Sequence, residues 1–505
     1  MTVPISHCFI IKHLLYNEII DSQANDSSYQ FSYQLLILSM QNKRIFKLFF
    51  CICFIAWSIS SILAEESTTE QTIDVEKQQS VQEESYRKPK RYFGRAFLQA
   101  NASNLAIWSW DYFAIHAPWA QISLESWKTN LQQGFDWDNS IFFTNQILHP
   151  YQGSTYFNAA RLNGYSFWES TPFSFYGSLM WEYFMERNQP STNDLITTTI
   201  GGIAMGEAGY RISLALIDTT ETGYKRALRE IGSLVANPVL FFNRIIYGDD
   251  DVLRRNAIPH TKLDLAFYFG MNVAHDDFAL FEAIPNPFFG FFFNYGDPYN
   301  SHEFFKPYEY FSMQCGVDVI NITNAGMEVF AHAILLGKKL YVGEWGKGVL
   351  GCYQHFDYLE NDMYKFASNG AGIGSQLYFP FLNTMGLELQ LHLYGIALGG
   401  VDSDYTKEKM GKDYTLGPGI ALKSELKYSL NSLFSCSVFY NHYWLYTLRG
   451  SDTENKVDIL STFFEFAMKS DLHLGVEYHL YARWSDAGID NSHTYGLRTY
   501  LSYIL

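Results

Sequence analysis

The chain ends in HTYGLRTYLSYIL, His493 to Leu505, where Tyr495, Leu497, Leu501, Tyr503 and Leu505 alternate with Gly496, Arg498 and Ser502. A period of two places these sets on opposite faces of a β-strand. A final strand of this kind belongs either to a soluble sandwich or to a barrel closed in a membrane. The sequence upstream decides between them.

The same alternation recurs from about Thr261 onward. Leu263, Leu265, Phe267, Phe269, Met271 and Val273 share one face; Met385, Leu387, Leu389, Leu391 and Leu393 share another; Leu472, Leu474, Val476, Tyr478 and Leu480 a third. The opposite faces carry charge, and ten or so residues of alternation fit a tilted membrane strand better than a globular one. Reading strands near 261–273, 288–296, 307–320, 325–336, 339–353, 366–380, 384–398, 414–428, 433–446, 457–468, 471–484 and 493–505 gives about twelve, an even number as bacterial barrels require. In the second half long connections alternate with short ones, the rhythm of outer loops and periplasmic turns. His493 to Leu505 therefore reads as the closing strand. Its apolar end resembles the signal that such barrels present to the barrel assembly machinery, although the last residue is Leu505 rather than an aromatic.

Inward positions then include Asp264, Asp318, Glu328, His332, Glu388, His392, Lys423, Glu425, Lys427, Glu465, His473, Glu477, His479 and Arg498. One reading is a wall of mutually satisfied ion pairs bracing a narrow barrel; the sharper reading is a water-filled pore or groove. Twelve strands leave room for a narrow channel or none. His473, Glu477 and His479 share one face of one strand, but alternate side chains lie about 7 Å apart, so a metal would need help from neighbouring strands.

Bulk composition agrees. The chain has 505 residues, a net charge of -16, and 36 Tyr and 41 Phe against 14 Pro, as suits a β-rich protein with much apolar surface. Mean hydropathy is only -0.11, and no apolar run beyond the N-terminal region is long enough for a spanning helix. The acidic balance argues against nucleic acid as a partner. Met40 begins a stretch with basic Lys43, Arg44 and Lys47, an apolar core to Leu63 and small Ala64, which is signal-peptide grammar. We expect translation to start at Met40, with residues 1–39 a mis-assigned extension and 40–64 the signal peptide; a single-pass anchor is the competing reading. Cys51 follows Phe49 and Phe50, so no good lipobox is present. Cys315, Cys352 and Cys436 are odd in number and far apart, which shows neither a disulfide framework nor a zinc spacing. Residues 65–95 are an acidic, then basic linker.

Between about Phe97 and Leu253 the period is helical. Ser178, Glu182 and Glu186 recur every fourth residue, Ser191 and Asp194 form a capping box, Pro172 marks a helix start, and Glu207 can pair with Arg211. Gly201, Gly202, Gly206 and Gly209 allow close helix approach. Together with His149 and Arg161, the carboxylates Glu182, Glu186 and Glu207 and Arg211 could converge across packed helices. Such a set suits general acid and base work or a divalent metal, but equally an internal network that fixes helix packing. No HExxH or GxSxG motif is present.

Phe135 to Ile217 resembles the uncharacterised bacterial domain of unknown function family numbered 3943, through its HPYxGSxYF, WEYxxE and GExxYR clusters. The resemblance implies a helical segment coupled to an outer-membrane barrel, and no activity.

The sequence thus predicts an α+β multidomain chain: a periplasmic helical domain over 96–255, then an antiparallel transmembrane β-barrel of about twelve strands over 260–505. The helices are expected beneath the barrel, against the inner leaflet through Trp108, Trp110, Trp119, Trp168 and Trp181. The expected protein is a non-enzymatic outer-membrane one with an envelope-structural or small-solute role, in contact with outer-membrane lipid and a possible solute, and with no cofactor. The alternative is an outer-membrane enzyme acting on lipid or lipopolysaccharide through His149, Glu182, Glu186 and Glu207.

Overall fold

A computed structural model describes residues 90–505, apart from short stretches at 139, 257, 259–260, 277–282, 300–302, 322–323, 344, 382–384, 431–432, 451–453, 487–489 and 505. The expected leader and most of the linker lie outside the described residues.

Helices come first: α1 (Phe93–Ser109), α2 (Leu124–Gln133), α3 (His149–Arg161), α4 (Phe167–Phe184), α5 (Thr192–Leu216), α6 (Gly223–Ala236), α7 (Pro238–Tyr247) and α8 (Asp249–Arg255). Pro172 does not start a helix. It lies inside α4, which begins after Ser166 with a reciprocal capping box to Glu169. A proline there frees one carbonyl of the preceding turn, that of Trp168, and the Thr171 hydroxyl donates to it at 2.9 Å. At the start of α5, Ser191 Oγ accepts from the Asp194 amide, but the returning acceptor is Glu182 of α4, which takes the Ser191 amide at 2.6 Å. That box therefore ties two helices together.

The strands are β1 (Leu263–His275), β2 (Asn286–Tyr295), β3 (Phe304–Phe305), β4 (Phe311–Asn321), β5 (Asn324–Val342), β6 (Gly346–Glu360), β7 (Lys365–Phe381), β8 (Met385–Asp402), β9 (Tyr414–Leu430), β10 (Phe434–Tyr446), β11 (Glu454–Ala467), β12 (Leu472–Ser485) and β13 (Ser492–Ile504), with α9 (Asp404–Met410) between β8 and β9. Twelve of them form a closed antiparallel barrel, sealed where Ala266 to His275 pair with Ile504 to Tyr495; short β3 adds outside, against β5. One hairpin departs from the sequence reading. Gly337, Lys338 and Lys339 suggest a turn, yet they lie mid-strand in β5, with β3 paired to Gly337 and Lys338. The chain reverses after Val342 instead, where Gly343 takes a φ of 57°.

One barrel end, here the near end, holds the start of β1 and the end of β13; the far end holds the connections after β8, β10 and β12. Short turns join β5–β6, β7–β8, β9–β10 and β11–β12 at the near end. The long segment between β2 and β4 also lies there, against the expected rhythm.

The helices do not lie beneath the barrel. They pack on its outer wall. Phe293, Met313, Ala331, Phe356, Asn369 and Leu398 are successive partners across β2, β4, β5, β6, β7 and β8. All six meet the bundle. Helix α5 runs along this row: Gly201 faces Asn369 on β7, the Ile200 carbonyl accepts from Gln354 on β6 at 3.2 Å, and Arg211 reaches the carbonyl of Pro307 at 2.9 Å beside Tyr295 of β2. Gly201 to Arg211 rises about 15 Å along a helix. Four strand spacings, β7 to β2, span about 19 Å. Long side chains close the difference, so α5 crosses the strands steeply and, because barrel strands are themselves tilted, runs obliquely from the far end toward the near end.

Helix α3 fills the next layer, touching α5 backbone to backbone: a Cβ on Gly153 would stand 1.9 Å from the Thr198 carbonyl oxygen, and one on Gly202 2.6 Å from Gly153. Replacement Gly153→Val should therefore destabilise the bundle by about 1–3 kcal/mol. The expected result is a lower melting temperature for the helical circular-dichroism signal in detergent, with the barrel's heat-dependent gel mobility retained.

Candidate functional site

Inside the barrel, charge is paired. Arg498 of β13 donates to both oxygens of Glu328 at 2.8 Å, and to Glu477 at 3.2 Å and Asp318 at 3.3 Å. Lys423 of β9 meets Asp357 of β6 at 2.5 Å, and the hydroxyls of Tyr394 and Tyr443 donate to the same carboxylate. His355 and His392 contact each other at 3.2 Å, and His332 contacts Gln376. Of the other expected lumen residues, Glu388 accepts from Tyr299 at 3.0 Å, Asp264 pairs with Lys262 near the rim, and His479 stands 4.0 Å from Glu477. His473 lies toward the near end, opposite Ser502. Among the described residues no group of three His, Cys, Asp or Glu could hold a metal.

These side chains surround a cavity of about 470 Å³ that reaches Lys262, Asp297 and Lys347 at the near end, and whose walls include Asp264, Glu388, His392, Lys423, Glu425, Glu477, His479 and Arg498. Toward the far end the lumen contents change. Leu359, Phe366, Ile396, Val401, Leu445 and Val457 form one buried cluster with Tyr364 and Tyr481, whose rings stack at 4.1 Å. The lumen is thus a polar cup with an apolar layer above it.

The helical residues singled out by sequence do not converge on one point. They divide into two groups. Toward the far-end pole, His149 stands 3.5 Å from Asp194, Glu182 holds the Ser191 amide, and Glu186, just past α4, accepts from the Trp181 indole at 2.5 Å. Toward the near end, Glu207 is clasped by Arg161 at 2.7 Å and by Arg211 at 3.0 Å. Glu182 and Glu207 are buried, and His149 nearly so. Neither the lumen cup nor a smaller cavity of about 80 Å³ between α5 and β4–β6 is lined by any of these residues.

The far-end group also anchors the bundle to the barrel. Lys412, in the connection after α9, donates to the Asp138 carbonyl at 2.8 Å, and the Tyr414 hydroxyl donates to that of Ser140 at 2.6 Å. Burial would raise the Asp138 carboxyl, but bonds from Ser140 and Asn193 and the charge of Lys412 hold it below the ordinary range. Burial pushes Lys412 down to about 8, against the pull of Asp138 and Asp194.

Sequence reasoning missed His355 and Asp357, because ending the fifth expected strand near 353 leaves them in a connection. It also missed Arg483, fully buried, which pairs with Asp402 at 2.6 Å. The alternation around Tyr481 to Arg483 was the available signal.

Residues 134–239 match DUF3943, a domain of unknown function. The DUF3943 segment takes in α3, α4, α5 and α6, and so the helices that touch the barrel wall; α1 lies outside it. No curated protein matches the chain. Among solved structures the chain is similar to the KdgM porin in complex with disordered oligogalacturonate, at 8% identity over 47% of this chain and 98% of that one, with a TM-score of 0.23. It is also similar to the NanC porin (10%, 48% and 99%, 0.25) and to a loop L8 deletion mutant of OmpT, an outer membrane protein of Vibrio cholerae (9%, 49% and 99%, 0.22). The barrel rests on its own strand pairing, not on these likenesses.

Three outcomes are expected. Arg498→Met leaves Glu328, Glu477 and Asp318 without their cation and should cost about 3–5 kcal/mol, read as a drop in the temperature of the barrel's gel-mobility shift. Lys262→Met, at an exposed pair, should cost less than about 1 kcal/mol. Because the folded state holds the Lys412 proton less tightly than the ordinary value of 10.5, it binds fewer protons above pH 8, and docking should gain stability between pH 8 and 10. Helical melting followed across that range should rise, and Lys412→Met should flatten the rise.

Proposed function

We propose that the protein is an outer-membrane barrel of the small-solute class whose lumen is shut in this state. The observation that carries the reading is the apolar layer around Tyr364, Phe366 and Tyr481 seated above a charged cup. A membrane position is supported by the outer wall where the helices leave it bare: Phe269, Leu391, Leu393, Phe464, Leu474 and Leu501 are exposed there, while the inward faces of the same strands carry charge. The near end, with both barrel termini and most short turns, faces the periplasm; α9 and the longer connections face outward. A solute entering the cup meets carboxylates, amines and imidazoles before it meets the aromatic layer, so passage requires that layer to part. The barrel assembly machinery would read β13. Burial of both helical clusters supports a packing role for them, and neither cavity described above is lined by His149, Glu182, Glu186 or Glu207, which the lipid-acting enzyme reading invokes.

The test is single-channel recording in planar bilayers. The wild type should be silent or open rarely, and the triple replacement Tyr364→Ala, Phe366→Ala, Tyr481→Ala should conduct steadily. Steady conductance by the wild type would overturn the shut-lumen reading.

A further inference from the structure

Soluble helical bundles keep a charged outer stripe. This bundle does not. Seven positions of α1, three of α4 and three of α7 are exposed, and none carries a polar side chain. Phe97, Leu105, Trp168, Phe175, Phe242 and Ile245 are among them, and Leu98 is 68% exposed. Charge is confined to two poles. Glu125, Lys128 and Arg187 are exposed at one; Lys90, Arg91, Asp250 and Arg254 at the other.

The distance between the poles is informative. Helix α4 spans about 27 Å, and α1 with the π-helical turn that continues it to Ala114 about 33 Å. A bilayer's hydrocarbon core is about 30 Å thick. Tyr112, Phe113 and Trp110 are exposed at the far-end pole and Trp168 at the other, where amphipathic rings meet headgroups. The apolar surface is also continuous with that of the barrel: on β8, Leu391 and Leu393 are exposed, and Leu398 on the same strand is covered by the bundle.

We propose that the helical bundle lies within the bilayer beside the barrel, with α1, α4 and α7 presented to lipid acyl chains, rather than in the periplasm. This rests on the reading of the barrel as membrane-spanning. No described helix is long and apolar enough to cross alone. None needs to. Polar groups on the inner faces of α1 and α4 find partners inside the bundle, Ser178 Oγ excepted: Asn104 donates to the Gly177 carbonyl at 3.1 Å, and Ser174 contacts the Gly153 and Thr198 carbonyls at 3.3 Å. Backbone groups are paired within helices, and α5, whose charged residues are all buried, rests on the barrel wall. The chain enters at the near-end pole through α1, crosses with α1, α3, α4 and α5, and returns to the near end for β1.

The experiment uses the full chain in liposomes, with all six cysteines replaced by Ser and a nitroxide attached through single introduced cysteines. Sites are Phe97, Leu105, Phe175 and Ile245 on the bundle, Leu393 and Leu474 on the barrel, and Lys128 and Arg187 at the pole. Accessibility to oxygen is compared with that to a neutral nickel complex. All four bundle sites are among the exposed residues of the bundle. The expected result is an oxygen preference at the bundle sites equal to that at Leu393, with nickel preferred at Lys128. Nickel preference on the bundle with oxygen preference on the barrel would place the helices in water and overturn the proposal alone. Nickel preference at both would overturn the membrane reading as well. Bundle labels immobilised and shielded from both reagents would show that the face is covered by a second copy or another protein, which also overturns it.

Discussion

The ladder from Ala266 to His275 against Ile504 to Tyr495 removes the last free edge of the sheet, and it creates two faces with different rules. Inside, a twelve-stranded circumference leaves little space, so every long side chain there has to be neutralised by a neighbour. Arg498 illustrates the demand, since three carboxylates share one guanidinium. Outside there is room for a folded unit. A bundle of this size cannot enter the lumen, and a row of outward residues across six strands supplies its floor.

That floor explains the composition of α5. Its contact positions are Gly201, Ala204 and Ala208, whose small size lets the helix axis approach the wall, while Gly202 and Gly206 admit α3 and Phe157 from the other side. Its three charged residues, Asp194, Glu207 and Arg211, are buried and directed at His149, Arg161 and the loop before β4. Van der Waals packing of small residues and satisfied polar groups hold such a helix where water is scarce.

Much of this was legible in sequence. Period-two runs located β1, β8, β9, β12 and β13, and the odd or even parity of Lys423, Glu425, Glu477 and Arg498 placed them inward. The Gly-rich segment announced close helix packing. The β5–β6 reversal was not legible, because Gly337 followed by two lysines has turn composition, and pairing with β3 on one side and β6 on the other keeps it extended. The apolar layer was hidden for a different reason. Phe366, Ile396 and Val457 have the same chemistry as lipid-facing residues, and the irregular register between Ile396 and Gly399 shifts parity within β8. The side of the wall on which the helices pack was also unreadable, since outward Phe356 and Leu398 look alike whether they meet lipid or protein.

Alternation along these strands couples the two faces. Tyr358 packs against Phe142 outside, and Leu359 next to it joins the apolar layer inside; Ala367 lies beneath the bundle, and Phe366 fills the lumen; Leu398 is covered outside, and Ile396 is buried inside. Three of the strands that carry the layer, β6, β7 and β8, are therefore ones the helices clamp, between the α5 floor contacts and the Lys412 and Tyr414 bonds at the far end, while Leu445, Val457 and Tyr481 complete it from β10, β11 and β12. Parting the layer by moving β6, β7 and β8 would break packing on both sides of the wall at once. Rotating Tyr364, which belongs to the short β6–β7 turn, would break its stack on Tyr481 and its packing within the layer but leave the floor intact. On the proposed shut-lumen reading, the second route leaves the outer packing in place, with the turn as the part that moves and the helices bracing the wall around it.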